Sequence, residues 1–318
     1  MLIPFKSIFI AGHHGMVGTA VRKLLANRFP DITPILRTRQ ELNLCSSREV
    51  EDFFQDTKPD AVIFAAAKVG GILANATYPV EFLSENIQMA TNAIGAAARA
   101  NVKRFLYLGS TCIYPKHAPQ PMVESSLLSS PLEPTNEAYA LAKIVGLKLC
   151  QYYRKEYGLN YHSAMPTNLY GPGDNYHPDN SHVIPGLLRR FHQAKIDQAP
   201  CVSLWGSGTP RREFLFVDDL AQALVHLLSL ESPPDWVNVG TGQDISIFEL
   251  AELVAKTVGY QGQIILDPSK PDGTPLKRTD PSLINSTGWH AETPLELGLK
   301  KTLQDFLSRK DQGILRSK

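Results

Sequence analysis

Residues 7–18 read SIFIAGHHGMVG. The first five form a short apolar run of strand character that ends in a glycine. From residue 17 to 29 the apolar residues Val17, Val21, Leu24, Leu25 and Phe29 recur at helical spacing. Between them stand Gly12, Gly15 and Gly18. In a strand–turn–helix unit, one glycine makes the tight turn. A second lets backbone N–H groups approach a pyrophosphate, and the third lets the helix pack on the strand. The helix N-terminus then faces the phosphates with its partial positive charge. His13 and His14 fill the turn and read as solvent-facing loop histidines.

The same alternation continues outward. Strand signals cover residues 31–36, 60–65, 104–108 and 161–165, and helical spacing covers 79–100 and 136–157. Strands separated by helices imply parallel pairing through crossover connections. The expected fold class is α/β: a Rossmann-type doubly wound parallel sheet with a smaller C-terminal α/β substrate domain. After Pro166 the pattern loosens. Gly, Pro, Asn, Asp and His crowd residues 166–185, which read as loop. Beyond it come a short basic helix at 185–195, a strand at 202–205, a helix at 217–230 opening on an acidic pair, a strand at 236–240 and a helix at 246–258. The expected division gives residues 1–170 to a dinucleotide-binding domain that also receives 214–242. Residues 171–213 and 243–318 form the substrate-binding domain. The polar tail 309–318 is expected to fray.

Composition narrows the function classes. Of 318 residues, 43% are apolar and 20% charged, which is globular. Lys plus Arg is 32 and Asp plus Glu is 31, so a strongly basic nucleic-acid binder is excluded. The apolar runs are too short to span a bilayer. The first twelve residues lack a basic n-region and read as the lead into the first strand. The four cysteines, Cys45, Cys112, Cys150 and Cys201, show no CxxC spacing, and the nine histidines show no ligand spacing. The chain is therefore expected to be soluble, intracellular and metal-free.

Two stretches carry chemistry. Tyr139 and Lys143 stand in YALAK, one helical turn apart on one face. A free tyrosine titrates near ~10, and a neighbouring ammonium is expected to pull that value down. Ser110, in YLGSTCIYP, follows a strand end, where open α/β sheets bind ligands. Its hydroxyl can reach a substrate oxygen beside Tyr139. The second strand ends in ILRTRQ. An acidic residue there would accept from a ribose 2′-OH, but arginines stand in its place. A guanidinium binds a 2′-phosphate, which predicts NADP over NAD with Arg37 as the ligand. The competing reading is a solvated loop arginine. Ala65 to Ala67 are small, as a backbone beside a cofactor requires.

The segments GHHGMVG, AAAKVGG, LGSTCIYPK, EPTNEAYALAK, MPTNLYGPGDNYHP, NSHVIP, WGSGTPRREFLFVDDL, NVGTG and SKPDGTP resemble the GDP-L-fucose synthase family of extended short-chain dehydrogenases. The likeness runs from about residue 5 to about residue 306. It implies an NADPH-dependent enzyme of nucleotide-sugar biosynthesis. The implied reaction inverts C3 and C5 of GDP-4-keto-6-deoxy-D-mannose and then reduces C4 to give GDP-L-fucose. The implied catalytic residues are Ser110, Tyr139, Lys143, Cys112 and His182. The implied cofactor residues are Gly12, Gly15, Met16, Val17, Gly18, Arg37, Ala65, Leu108, Gly109, Lys143, Pro166, Thr167, Asn168, Leu169 and His182. Arg190, Trp205, Arg212 and Asp272 are implied to hold the GDP-sugar, and a cytoplasmic homodimer is implied through the helices near 79–100 and 136–157.

The residues support an epimerase-reductase on their own account. Hydrogens beside a ketone are acidified, so inverting C3 and C5 needs one group to remove a proton and another to return it on the opposite face. A thiol and an imidazole titrate close enough to neutrality to do both. Without the resemblance, Cys112 reads equally as a small buried apolar residue, His182 as a loop histidine and Trp205 as core. Arg189 and Arg211 read as a solvated face. Two other readings compete. A nucleotide-sugar 4-epimerase would need no acid–base pair at C3 and C5, and a dehydratase carries Thr-Asp-Glu where Ser110, Thr111 and Cys112 stand. A non-catalytic NADP sensor would tend to lose Tyr139 or Lys143.

Overall fold

Ile8 and Ile10 turn to one face of the first strand, β1 (Ser7–Ala11), and Phe9 and Ala11 to the other; all four are buried. A strand buried on both faces belongs inside a parallel sheet with helices on each side. The computed structural model, which describes residues 3–178, 180–270 and 272–315, has that arrangement. After β1 come α1 (Met16–Arg28), β2 (Thr33–Ile35), α2 (Ser47–Thr57), β3 (Ala61–Phe64), α3 (Ile72–Thr77), α4 (Pro79–Arg99), β4 (Arg104–Leu108), α5 (Glu137–Tyr157) and β5 (Asn160–Pro166). The chain continues through β6 (Asn168–Tyr170), α6 (Val183–Ile196), β7 (Cys201–Trp205), β8 (Arg211–Phe216), α7 (Val217–Ser229) and β9 (Trp236–Val239). It finishes with β10 (Asp244–Ser246), α8 (Ile247–Val258), β11 (Gln263–Asp267), β12 (Leu276–Lys277), α9 (Ser282–Ser286) and α10 (Leu295–Asp311).

The main sheet is wholly parallel, in the order β2-β1-β3-β4-β5-β9. Strand order reverses at β1, with β2 on one side and β3 on the other. That switch point opens the crevice where such sheets take ligands. One face packs Ile8, Ile10, Ile63, Leu106 and Ala164 against α1 and α7. The other packs Phe9, Val62, Phe64, Phe105 and Tyr161 against α2, α4 and α5. Gly146 in α5 lets that helix close on β4, because a Cβ there would sit 2.3 Å from the Tyr107 ring. α5 also leaves Leu141, Val145 and Tyr152 exposed along one side. Among the described residues no helix is long and apolar enough to cross a membrane.

The second lobe is built on β8. It pairs with β10 antiparallel, with β12 parallel and with β6 parallel. β7 and β11 form a separate parallel pair, and α6, α8 and α10 close the core around Phe191, Leu250 and Phe306. Two expectations change, and one element is new. The stretch 166–185 is not all loop, since β6 lies within it. The 309–318 tail does not fray at its start: α10 continues to Asp311, and Arg309 bonds Asp305 at 2.8 Å. The remainder of that expectation, residues 316–318, lies outside the described residues. The helix α2 lacked a reading in the sequence; Ser46 caps it by accepting from the Glu49 N–H.

His162 in β5 is fully buried, and neither ring nitrogen has a hydrogen-bond partner. Burial, reinforced by Arg104 and Arg154, pushes it well below the usual imidazole range. Below about pH 6.5 the unfolded chain therefore binds a proton that the native protein refuses, so native stability falls as pH falls. The loss amounts to about 1.4 kcal/mol per pH unit for one proton. His162→Leu is expected to flatten thermal-denaturation midpoints between pH 6.5 and 4.5 by one proton's worth. An unchanged slope would assign the acid sensitivity elsewhere.

Candidate active site

Gly12 takes a φ of 82°, and a Cβ there would lie 2.8 Å from the Ala65 carbonyl oxygen at the end of β3. A Cβ on Gly18 would lie 2.3 Å from the Gly12 oxygen. Only glycine fits either place. Gly15 caps α1 without a side-chain hydrogen bond, and the first turn holds no acidic residue. The N–H groups at Met16, Val17 and Gly18 are left to an anion. This turn is a cradle that fits a dinucleotide pyrophosphate. Leu108 and Gly109 at the end of β4, and Pro166, Thr167, Asn168 and Leu169 at the end of β5, bring the other expected cofactor residues to the same sheet edge.

The two loop histidines part company. His14 is exposed, whereas His13 is only 4% exposed, which corrects its reading as solvent-facing. Its ring meets that of His14 at a tilt of 43°, 4.1 Å between centroids. The β2 arginines also differ. Arg37 folds back, donating to the Leu36 carbonyl at 2.8 Å and lying 5.6 Å over the Phe53 ring. Arg39 reaches outward, 77% exposed, and meets Glu85 at 3.5 Å.

At the end of β4 the chain turns through Ser110, whose hydroxyl accepts from the Cys112 N–H at 3.3 Å. α5 brings Tyr139 and Lys143 to the same place. The Lys143 ammonium donates to the Leu108 carbonyl at 2.8 Å and lies 5.6 Å from the Tyr139 ring centre. Burial pulls Lys143 down to about 8, opposed by Cys112. Tyr139 departs from expectation. Burial and then Cys112 push it up, so it holds its proton as a phenol. Burial also raises the Cys112 thiol, against the Ser110 hydrogen bond and the nearby ammonium groups of Lys277 and Lys143.

Lys277 had no signal beyond its place two residues after the SKPDGTP stretch. It ends β12 in a half-buried position, where desolvation lowers its ammonium, Cys112 raises it, Arg212 lowers it and Glu133 raises it. Glu133 is held by Lys116 at 3.1 Å. Ser110, Cys112, Tyr139, Lys143 and Lys277 thus share one chamber. His182 caps α6 in the second lobe and is partly open to solvent, while the protein atoms around its ring lower its imidazole; no bond joins it to Ser110, Cys112 or Tyr139 among the described residues. The residue before it, Ser181, runs over Gly71, which immediately precedes α3.

The nucleotide residues gather farther out. Trp205 ends β7 and is 65% exposed, which excludes the core reading; Lys270 lies 5.5 Å from its ring centre. Arg190 donates to the Ser203 carbonyl at 3.1 Å, two residues along the same strand. Asp272 accepts from the Ser207 N–H at 2.9 Å and its hydroxyl at 2.7 Å, fixing the turn after Trp205. Arg212 donates to the Thr274 carbonyl. Arg189 bonds the Tyr176 carbonyl at 2.9 Å, and Arg211 pairs with Asp244 and Glu249, so these two are structural. Among the described residues no His, Cys, Asp or Glu cluster could hold a metal ion.

Comparison with known proteins gives the family. Residues 8–240 match the NAD dependent epimerase/dehydratase family. The chain is 54% identical over 316 residues to GDP-L-fucose synthase of Escherichia coli K12, covering 96% of this chain and 98% of that protein. It is 54% identical to GDP-L-fucose synthase 1 of Arabidopsis thaliana, over 94% of this chain and 93% of that one. Among solved structures, a GDP-mannoheptose C4 reductase from Campylobacter jejuni with NADP bound superposes with a TM-score of 0.86 at 33% identity. That alignment covers 96% of this chain and 100% of the reductase. A Naegleria fowleri GDP-L-fucose synthetase bound to NADP gives 0.87 at 25% identity, over 98% of this chain and 96% of that one. With its phosphate turn, its Ser-Tyr-Lys chamber and these relatives, the chain belongs to the NAD dependent epimerase/dehydratase family and, within it, to the GDP-L-fucose synthases of the extended short-chain dehydrogenases.

Proposed function

We propose that this enzyme converts GDP-4-keto-6-deoxy-D-mannose to GDP-L-fucose, by inversion at C3 and C5 and then NADPH-dependent reduction at C4. The observation that carries the reading is Cys112 two residues from Ser110 in the same chamber as Tyr139 and Lys143. A simple reductase or 4-epimerase has no use for that thiol.

The residues divide the work as follows. Arg190, Arg212 and Trp205 hold the GDP moiety, the arginines on the diphosphate and the indole offering its exposed face. Ser110 donates to the C4 oxygen, which stabilises the enolates formed when C3 or C5 loses its proton. Cys112 and His182 exchange those protons from opposite faces. Lys277 and Lys143 beside the thiol favour its thiolate when the proton leaves. NADPH bound along the sheet edge supplies the hydride for C4. Tyr139, held as a phenol by burial, gives its proton to the C4 oxygen. Lys143, fixed by the Leu108 carbonyl, balances the charge this leaves. The test is to follow NADPH absorbance with GDP-4-keto-6-deoxy-D-mannose and to identify the product by NMR. GDP-L-fucose supports the reading, and absence of oxidation sinks it.

Both arginines are exposed, but Arg37 is drawn back onto the Leu36 carbonyl and the Phe53 ring, which favours Arg39 as the main 2′-phosphate contact with Arg37 flanking it. Arg39→Ala is expected to weaken NADPH at least tenfold and NADH less than twofold in fluorescence titrations. Parallel weakening of both cofactors would remove the 2′-phosphate argument.

A further inference from the structure

Glu213 in β8 is 0% exposed, and its carboxylate meets only neutral donors. One oxygen accepts from the Thr241 N–H at 2.6 Å and the Gly242 N–H at 2.7 Å. The other accepts from the Thr279 N–H at 2.7 Å and the Thr279 hydroxyl at 2.8 Å. Its backbone carbonyl accepts from the Asn168 amide at 2.8 Å. A buried ion costs several kcal/mol in desolvation, and apolar packing of similar volume is often at least as stable. Fold stability alone therefore does not account for a carboxylate here.

Its neighbours do. Arg212, of the nucleotide end, precedes it. Thr279 lies two residues after Lys277, which stands beside Cys112. Lys277 and Arg212 are register partners across β12 and β8. Asn168 belongs to the strip expected beside the nicotinamide. We propose that Glu213 is a positioning residue that fixes the distance between the thiol chamber and the nucleotide clamp, by fastening β12 and the 241–242 turn to β8. The proposal rests on the function argued above, since it takes the GDP-sugar as the ligand that spans both ends.

An amide cannot replace this carboxylate. In Glu213→Gln the NH2 must face either the Thr279 pair or the side where two N–H groups and, at 3.4 Å, the Thr241 hydroxyl converge. The Thr279 side admits it, because that hydroxyl can rotate to accept, but the Thr279 N–H is then left without an acceptor. The β12 tether loosens while the 241–242 side holds. Glu213→Gln is expected to raise KM for the GDP-sugar tenfold or more, with NADPH affinity within twofold of the parent. Thr279→Val, which removes one donor and keeps the N–H, should shift KM the same way by a smaller factor and serves if the first variant does not fold. Unchanged KM in the folded variants, with only a lower melting temperature, would overturn the proposal. If the parent enzyme does not turn over this sugar, the function reading fails instead. Calorimetric titration with GDP then decides the positioning role, expected to show at least fivefold weaker binding in the variants and overturned by equal affinity.

Discussion

Tyr139→Phe is expected to lower ketone reduction by about 10²- to 10⁴-fold, the range for loss of a positioned general acid. Hydrogen–deuterium exchange at C3 and C5 in D2O should stay within a few fold of the parent. The separation follows from geometry. Ser110 lies at the end of β4, on a different element from Tyr139, and it can polarise the C4 oxygen without the tyrosine hydroxyl. Phenylalanine keeps the ring that meets Phe82 edge-on at 6.3 Å, so the helix face stays packed. What disappears is the proton that the new C4 alkoxide needs. Stopped-flow NADPH oxidation read beside NMR of the exchange measures both steps on one sample. Reduction within tenfold of the parent would assign the proton to another donor.

The second large effect is at the thiol. Cys112→Ser is expected to slow C3 and C5 exchange by about 10²- to 10⁴-fold, while hydride transfer to C4 continues at a reduced rate. The product should then be a GDP-6-deoxyhexose with uninverted centres. A serine hydroxyl is far too weak an acid to shuttle these protons near neutrality. The ammonium groups of Lys143 and Lys277, which favour a thiolate, cannot make an alkoxide accessible. The hydroxyl fits the space, so Tyr139 and Ser110 stay in place. Equal loss of exchange and reduction would contradict the division of labour between Cys112 and Tyr139.

Much of the fold and the site is legible in the amino-acid sequence itself. Gly12, Gly15 and Gly18 announce the phosphate turn because such a turn makes steric demands that glycine meets. Tyr139 and Lys143 announce one helix face because their spacing is a helical turn. What stays hidden is equally instructive. β6, β10 and β12 have two or three residues each, too few to show any period, and they form only because β8 offers them edges. Lys277 and Glu213 look like ordinary surface charges in sequence, and only strand pairing buries Glu213 and half-buries Lys277. The lowering expected for Tyr139 follows from its neighbour Lys143, but burial outweighs that neighbour, and burial cannot be read from a motif. Arg37 and Arg39 differ only in which one finds Phe53 and the Leu36 carbonyl, a matter of side-chain path.

The chain crosses between the main sheet and the sheet built on β8 three times, and the passages from β5 to β6 and from β8 to α7 have at most one residue of slack. Two halves stitched this tightly draw on each other's strands, so neither half is a transplantable unit. A recombination breakpoint at any of these crossings would leave one partner missing its edge strand.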